Sequence, residues 1–186
     1  MATRKPRISK QRRTQKANTA PTSTFQQAAE NAGLDCCAGL SAIAHRDRSR
    51  IKSTNDHRRI TGSVDLDGHY QASEPNASRW DYGVGVRLET NTGETRNEHV
   101  YWIEPHPASS TAEVERMLNK LDWLQAKLQL PEFLSLRQIR FDGEQHSKSP
   151  SFLWLCSGKN RIRPQSQEAR RLRRRGLSLP QRVITL

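Results

Sequence analysis

The sequence predicts an α/β fold: a central mixed β-sheet containing an antiparallel hairpin, flanked by helices in the order α-β-β-β-α-β. Three observations lead there. Period-two alternation runs through Tyr82, Val84, Val86 and Leu88, against Asp81, Gly83, Gly85 and Arg87. His99 to Ile103 (HVYWI) is a β-branched and aromatic run of the kind buried on both faces of a sheet. Val114, Met117, Leu118, Leu121, Leu124 and Leu128 make one apolar stripe at helical spacing.

The first helix is expected near Thr24. Ser23 or Thr24 caps FQQAAENAG, and Gly33 supplies the C-terminal signal. A second helical piece, Asp35 to His45, is small and apolar and should pack inside. Ile60 to Leu66 (ITGSVDL) alternates as a strand leading to Asp65, Asp67 and Gly68, where Asp-Gly is also turn chemistry. The hairpin follows, with Asn91-Thr92-Gly93-Glu94 as its turn. Pro105 and Pro107 bracket His106 and end the second hairpin strand, because proline cannot donate to a ladder. A long helix spans Thr111 to Leu130, with Ser110 and Glu113 spaced as a capping box and Pro131 as the stop. Leu136 to Phe141 alternates apolar and basic residues like a half-exposed strand. Phe152 to Cys156 reads as an apolar strand, Gln167 to Arg175 as a basic helix, and Gln181 to Leu186 as a terminal strand.

At 186 residues the chain suits one domain plus tails. No stretch approaches the ~20 apolar residues of a membrane span, and no apolar h-region follows the basic N-terminus. Cys36, Cys37 and Cys156 offer neither a disulfide framework nor zinc spacing. A reducing, cytoplasmic setting follows as the expectation.

The net charge of +12 sits at the ends. Residues 1–23 carry seven Lys/Arg and no acid, and residues 161–186 carry eight Arg and one acid, Glu168. Between them lie 16 basic and 18 acidic residues. The expected organisation is a disordered basic arm over 1–23, an α/β core over 24–160 and a basic C-terminal extension over 161–186. Such ends suit a polyanion, DNA or RNA, through phosphate neutralisation. Arg170, Arg171, Arg173 and Arg174 are candidates for that contact, as are Arg79 and Arg87 beside the first hairpin acid.

If the turn centres on Thr92-Gly93, paired hairpin residues have numbers summing to 185, which sets Asp81 opposite Glu104. Like charges in that position are unfavourable unless a cation lies between them. A hard divalent cation is the usual guest, because such ions take carboxylate oxygens. Gly83 and Gly85 leave room on that face for a backbone or ligand.

An Asp starting the second strand and a Glu ending the third, in this order of elements, resemble the PD-(D/E)xK, or restriction-endonuclease-like, nuclease superfamily. The resemblance spans residues 24 to about 158. It implies a Mg²⁺- or Mn²⁺-dependent phosphodiester hydrolase, with Asp81 and Glu104 as the two acids and Asp67 as a further metal ligand. Where the family has a lysine two residues after the second acid, this chain has His106. Some members carry the lysine on the next helix, and Lys120 is the residue so placed. Lys120 sits at the edge of the apolar stripe, a position equally suited to snorkelling at the surface. His106 suits either the orientation of a water or a structural turn. The alternatives are a catalytically inactive nucleic-acid-binding protein of the same fold, or an accessory subunit using its basic arms. Sheet-edge pairing through the terminal strand would allow a homodimer or a protein partner.

Overall fold

A computed structural model describes residues 24–53, 58–88, 97–139 and 150–186. The expected arm over 1–23 and the Asn91–Glu94 turn lie outside the described residues. The architecture is α/β, with a mixed four-stranded sheet flanked by helices. In chain order the elements are α1 (Phe25–Asn31), α2 (His45–Arg48), β1 (Ile51–Lys52), β2 (Arg58–Asp65), α3 (Leu66–Tyr70), β3 (Tyr82–Leu88) and β4 (Asn97–Ala108). Then come α4 (Thr111–Lys127), α5 (Leu134–Gln138), β5 (Phe152–Asn160), α6 (Gln167–Arg174) and β6 (Ile184–Thr185).

The sheet order is β2-β3-β4-β5. The first three strands are antiparallel neighbours, and β5 joins β4 in parallel. The β3–β4 register runs from Tyr82↔Ile103 to Leu88↔Asn97 without a bulge. Every pair sums to 185, as the turn arithmetic expects.

Period-two alternation sorts the strands' side chains onto two cores. Tyr82, Val84, Val86, Tyr101, Ile103, Leu153 and Leu155 pack on one face with Ile43, Ile51, Ile184 and Leu186. Val100, Trp102, Trp154 and Cys156 face the larger core, closed by α1, α4 and Leu172 of α6. The apolar stripe of α4 is buried there, from Val114 through Leu128. Trp80, Trp102 and Trp154 are all core residues. At ~1.5–3 kcal/mol per large side chain, this burial is what holds α4 against the sheet.

Both glycines on the α4-facing side of β3 are explained by this packing. A Cβ at Gly83 would run into the Trp102 ring, and one at Gly85 would overlap the Phe25 ring. The room is therefore filled by core aromatics, not by a ligand.

Thr24 caps the start of α1 with a reciprocal capping box to Gln27, and Gly33, at φ +71°, follows its C-terminal end. Beside α1, Glu98 is buried, accepting from the Phe25 amide at 2.5 Å and from Arg87 Nη2 at 2.6 Å. Glu30, the acid of α1, is exposed and bonded to Gln26.

Several expectations are corrected. Residues 35–44 form turns and a bridge to Ser63, and only His45–Arg48 is helical. Gly39 at φ +56° and the Cys37–Ser63 backbone bonds favour turns over a continuous helix. Leu136 lies in the helix α5, not in a strand, because Pro131 starts a 3₁₀ turn that α5 continues, burying Phe133 and Leu136. The terminal strand is short and pairs in parallel with β1, so its register is satisfied within the chain. Ala169, Leu172, Leu177, Ile184 and Leu186 are buried, so residues 161–186 contribute to both cores. Cys36, Cys37 and Cys156 are free thiols, with Cys156 buried.

Gly85→Ala is the sharpest test of this packing. The overlap with Phe25 should cost about 1–3 kcal/mol. At ~2–4 °C per kcal/mol for a chain of this size, the thermal midpoint should fall by about 2–12 °C. Phe25→Leu in the same background should recover part of the loss, read by circular dichroism melts.

Candidate active site

The β3–β4 register carries one rung beyond the ladder, and there Asp81 meets Glu104. The Asp81 backbone amide donates to Glu104 Oε2 at 2.8 Å. Both side chains project from the face that α4 covers. Lys120, two turns into α4, reaches both acids: its Nζ lies 2.9 Å from Asp81 Oδ1 and 2.5 Å from Glu104 Oε1. Lys120 stands at the edge of the buried stripe between Met117 and Leu121, so packing of that stripe aims it at the strands.

Burial is uneven across the cluster. The Glu104 side chain is 0% exposed, Asp81 24% and Lys120 19%. With all three ionised, two carboxylates share one ammonium and the site holds one net negative charge. Burial, then the Asp81 charge, push the Glu104 carboxyl well above the usual carboxylate range, against the opposing pull of Lys120. For Lys120, burial alone would lower the ammonium, but Glu104 and Asp81 outweigh it and the net direction is up.

His106 adjoins the cluster two residues along β4. Its Nε2 bonds Glu113 Oε2 at 2.8 Å, and its Nδ1 lies 4.0 Å from Glu104 Oε1. A neutral imidazole that donates Nε2–H to Glu113 presents Nδ1 as an acceptor beside the acid pair. Glu113 is thus not the capping-box partner of Ser110, whose side chain makes no cap bond. It serves His106 and, at 3.2 Å, Arg116. Glu113 and Arg116 are site-adjacent residues that sequence reasoning missed. A Ser-x-x-Glu pattern gives no sign of a histidine across the strand–helix turn.

Asp67 does not join the acid pair. Its Oδ1 accepts from Arg79 Nε at 2.9 Å, while Arg79 Nη1 also donates to the Glu74 carbonyl. Arg79 therefore ties the segment entering β3 to α3 and the following loop. That loop is fixed to α4 in turn: Trp123 Nε1 and Lys127 Nζ both donate to the Glu74 carboxylate, and Lys127 lies 4.0 Å from the Tyr70 ring centre. Hydrogen bonds from Lys127 and Trp123 hold the Glu74 carboxyl below its usual range.

The arginines expected at nucleic acid divide into two groups. Arg79 is engaged as above, Arg87 pairs with Glu98, and Arg171 pairs with Glu115 of α4. Arg170, Arg173 and Arg174 are exposed on α6.

Comparisons with protein-family models, with curated proteins and with solved structures find no match to this chain. The chemistry rests on the geometry alone. Two hard carboxylates sharing one ammonium suit a divalent cation of the Mg²⁺ type, with water completing the shell. Among the described residues, no group of three or more His, Cys, Asp or Glu is arranged to hold a metal. Any ion here would therefore rely on Asp81, Glu104 and non-protein oxygens. Among the described residues, no helix is long and apolar enough to cross a membrane.

The raised Glu104 carboxyl sets a pH dependence of stability. A group whose folded pKa lies above its unfolded value contributes stability below the unfolded value, and loses it as pH rises through the folded one. Wild type should therefore lose stability from Glu104 as pH rises above the ordinary carboxylate range. Glu104→Gln, which cannot ionise, should be flatter between pH 5 and pH 8 in chelator. At pH 8 it should match or exceed wild type by about 1–2 kcal/mol, since replacing buried charge is often stabilising. Denaturant titrations at the two pH values read this directly; a variant much less stable at pH 8 would contradict the charge balance.

Proposed function

We propose that this chain is a metal-dependent nuclease that hydrolyses nucleic-acid phosphodiesters at Asp81, Glu104 and Lys120. One observation carries the reading: Lys120 of α4 bonds both acids that the hairpin register brings together. That arrangement fits the variant of the resembled family in which the lysine comes from the helix after the second acid. Structural ion pairs are usually balanced; here one ammonium serves two carboxylates, an imbalance that a bound cation would offset.

Asp81 and Glu104 would hold one Mg²⁺ or Mn²⁺, whose chemistry there is to polarise the phosphodiester and acidify a bound water. Lys120, within 3 Å of both acids, is placed to stabilise the negative charge that develops on phosphate oxygens. On attack, the water oxygen would bond to phosphorus and its proton would pass to His106 Nδ1, while one P–O ester bond would break and the departing oxygen would take a proton from solvent. Glu113, bonded at Nε2, orients that ring and stabilises the imidazolium that forms.

A second reading has its own support. Lys120 already bridges the pair, and no third His, Cys, Asp or Glu joins it among the described residues. A binding protein of the same fold would keep this cluster as a structural ion triad and act through its basic surfaces.

Incubation with supercoiled DNA, single-stranded DNA and RNA in Mg²⁺ or Mn²⁺ separates the two. Wild type should cleave at least one substrate, and chelator should abolish cleavage. Asp81→Asn and Lys120→Ala should each lower the rate by about 100-fold or more. Cleavage unaffected by Asp81→Asn would remove the proposed site. No cleavage by wild type, with salt-sensitive binding retained, would establish the binding-protein reading.

A further inference from the structure

Between residues 159 and 175 the chain carries eight basic residues and one acid. The structure divides them by direction. Arg171 and Arg175 turn toward α4 and pair with Glu115 and Asp122. Lys159, Arg161, Arg163, Arg170, Arg173 and Arg174 are exposed, and none has an ion pair among the described residues.

The backbone beneath several of these six is fixed. The Arg161 amide donates to the Ala108 carbonyl at 2.9 Å, which anchors the end of β5 to the end of β4. The Ser166 amide donates to the Arg163 carbonyl at 3.0 Å, and Arg173 Nη1 reaches back to the Pro164 carbonyl at 2.9 Å. Arg170 and Arg174 lie four residues apart, on one side of α6. Between the loop and the starts of α4 and α6 is a cavity of about 300 Å³, lined by Ser110, Thr111, Arg161, Arg163, Ser166 and Glu168. Glu168 is the one opposing charge, and its carboxyl is held below its usual range by hydrogen bonds from its own backbone amide and from Ser166.

The surface also lies at a definite distance from the acid pair. Ala108 is four residues beyond Glu104 on β4, so at ~3.3 Å per residue the anchor of Arg161 is about 13 Å from the site. Each strand of a duplex places one phosphate per ~3.4 Å of axis, so 13 Å corresponds to about four base pairs. Like-charged side chains left unpaired along such a path are suited to a string of phosphates, not to a single anion.

We infer that Lys159, Arg161 and Arg163, continued by Arg170, Arg173 and Arg174, form the track that binds a nucleic-acid backbone about four nucleotides from the acid pair. The inference rests on the nuclease reading only for the role of the bound strand; the binding itself does not require hydrolysis. Arg161 heads the track because its backbone amide is anchored to Ala108 of β4, with Arg163 two residues further on.

The test uses the full chain in chelator, so that binding is read without cleavage. A fluorescent 20-base-pair DNA duplex, the matching single strand and the matching RNA are titrated by anisotropy at several salt concentrations. Arg161→Ala/Arg163→Ala should weaken binding about tenfold or more near 0.1 M salt. It should also reduce the slope of log K against log salt by about 2, one phosphate contact per arginine. Lys52→Ala/Arg182→Ala removes the same charge from exposed positions elsewhere and should change the slope by far less. Thermal melts check that both variants fold. The strongest of the three probes identifies the preferred nucleic acid. Equal losses from both double variants, or no binding by wild type to any probe, would overturn the track. Asp81→Asn separates the two proposals: it should bind like wild type yet fail to cleave. Intact binding by Arg161→Ala/Arg163→Ala alongside active cleavage would overturn the track and leave the nuclease reading standing.

Discussion

Pairing Tyr82 with Ile103 is the constraint on which the site depends. From that register follow the two-core sorting of side chains, the placement of Trp102 over Gly83, and the meeting of Asp81 with Glu104 one rung further on. A one-residue slip would send every side chain of β4 to the opposite face. It would bury Glu104 among the apolar side chains of the Tyr82–Ile103 core. The register is held because both faces of these strands are packed, and neither core tolerates the exchange.

The same strand pair carries two buried glutamates that are balanced differently. Glu98 faces Arg87 across the ladder and also accepts the first amide of α1, so its charge is matched. Glu104 faces another acid, and one lysine must serve both. The contrast shows what a structural buried carboxylate looks like in this fold, and Glu104 departs from it. Ionising both acids beside a single lysine costs stability, so their pairing speaks for a role that a neutral residue would not fill. Around it, Arg79, Glu74, Trp123 and Lys127 tie the loop before β3 to α4. They fix the relative positions of Asp81 and Lys120, which come from separate elements.

Much of the fold was legible in local pattern. The hairpin, its register and the long helix follow from period two, turn chemistry and the apolar stripe. The helices at either end of the chain carry their own caps. What misled was where tertiary contacts decide: Leu136 sits in a helical turn because Pro131 nucleates it, and residues 35–44 turn because they dock on the β2 edge at Ser63. At the site, the two acids were visible because their spacing is set by one hairpin. Lys120 was a candidate only through the family resemblance, its helical-wheel position fitting a site or the surface equally, and its contact with both acids depends on how α4 crosses the sheet. Asp67 was misplaced because its partner, Arg79, reaches back twelve residues through a loop. The pairing of His106 with Glu113 had no sequence signal, since the same Glu113 completes an equally good capping pattern. Arg161 and Arg163 were hidden in a run of basic residues until the structure showed which of them are paired.

The most direct test of the central claim is calorimetric titration of Mn²⁺ into the full chain at neutral pH, beside Asp81→Asn. The account predicts one ion bound per wild-type chain, and binding at least about tenfold weaker once Asp81 loses its charge. Equal Mn²⁺ binding by the two proteins, or none by wild type, would contradict the assignment of this acid pair as a metal centre.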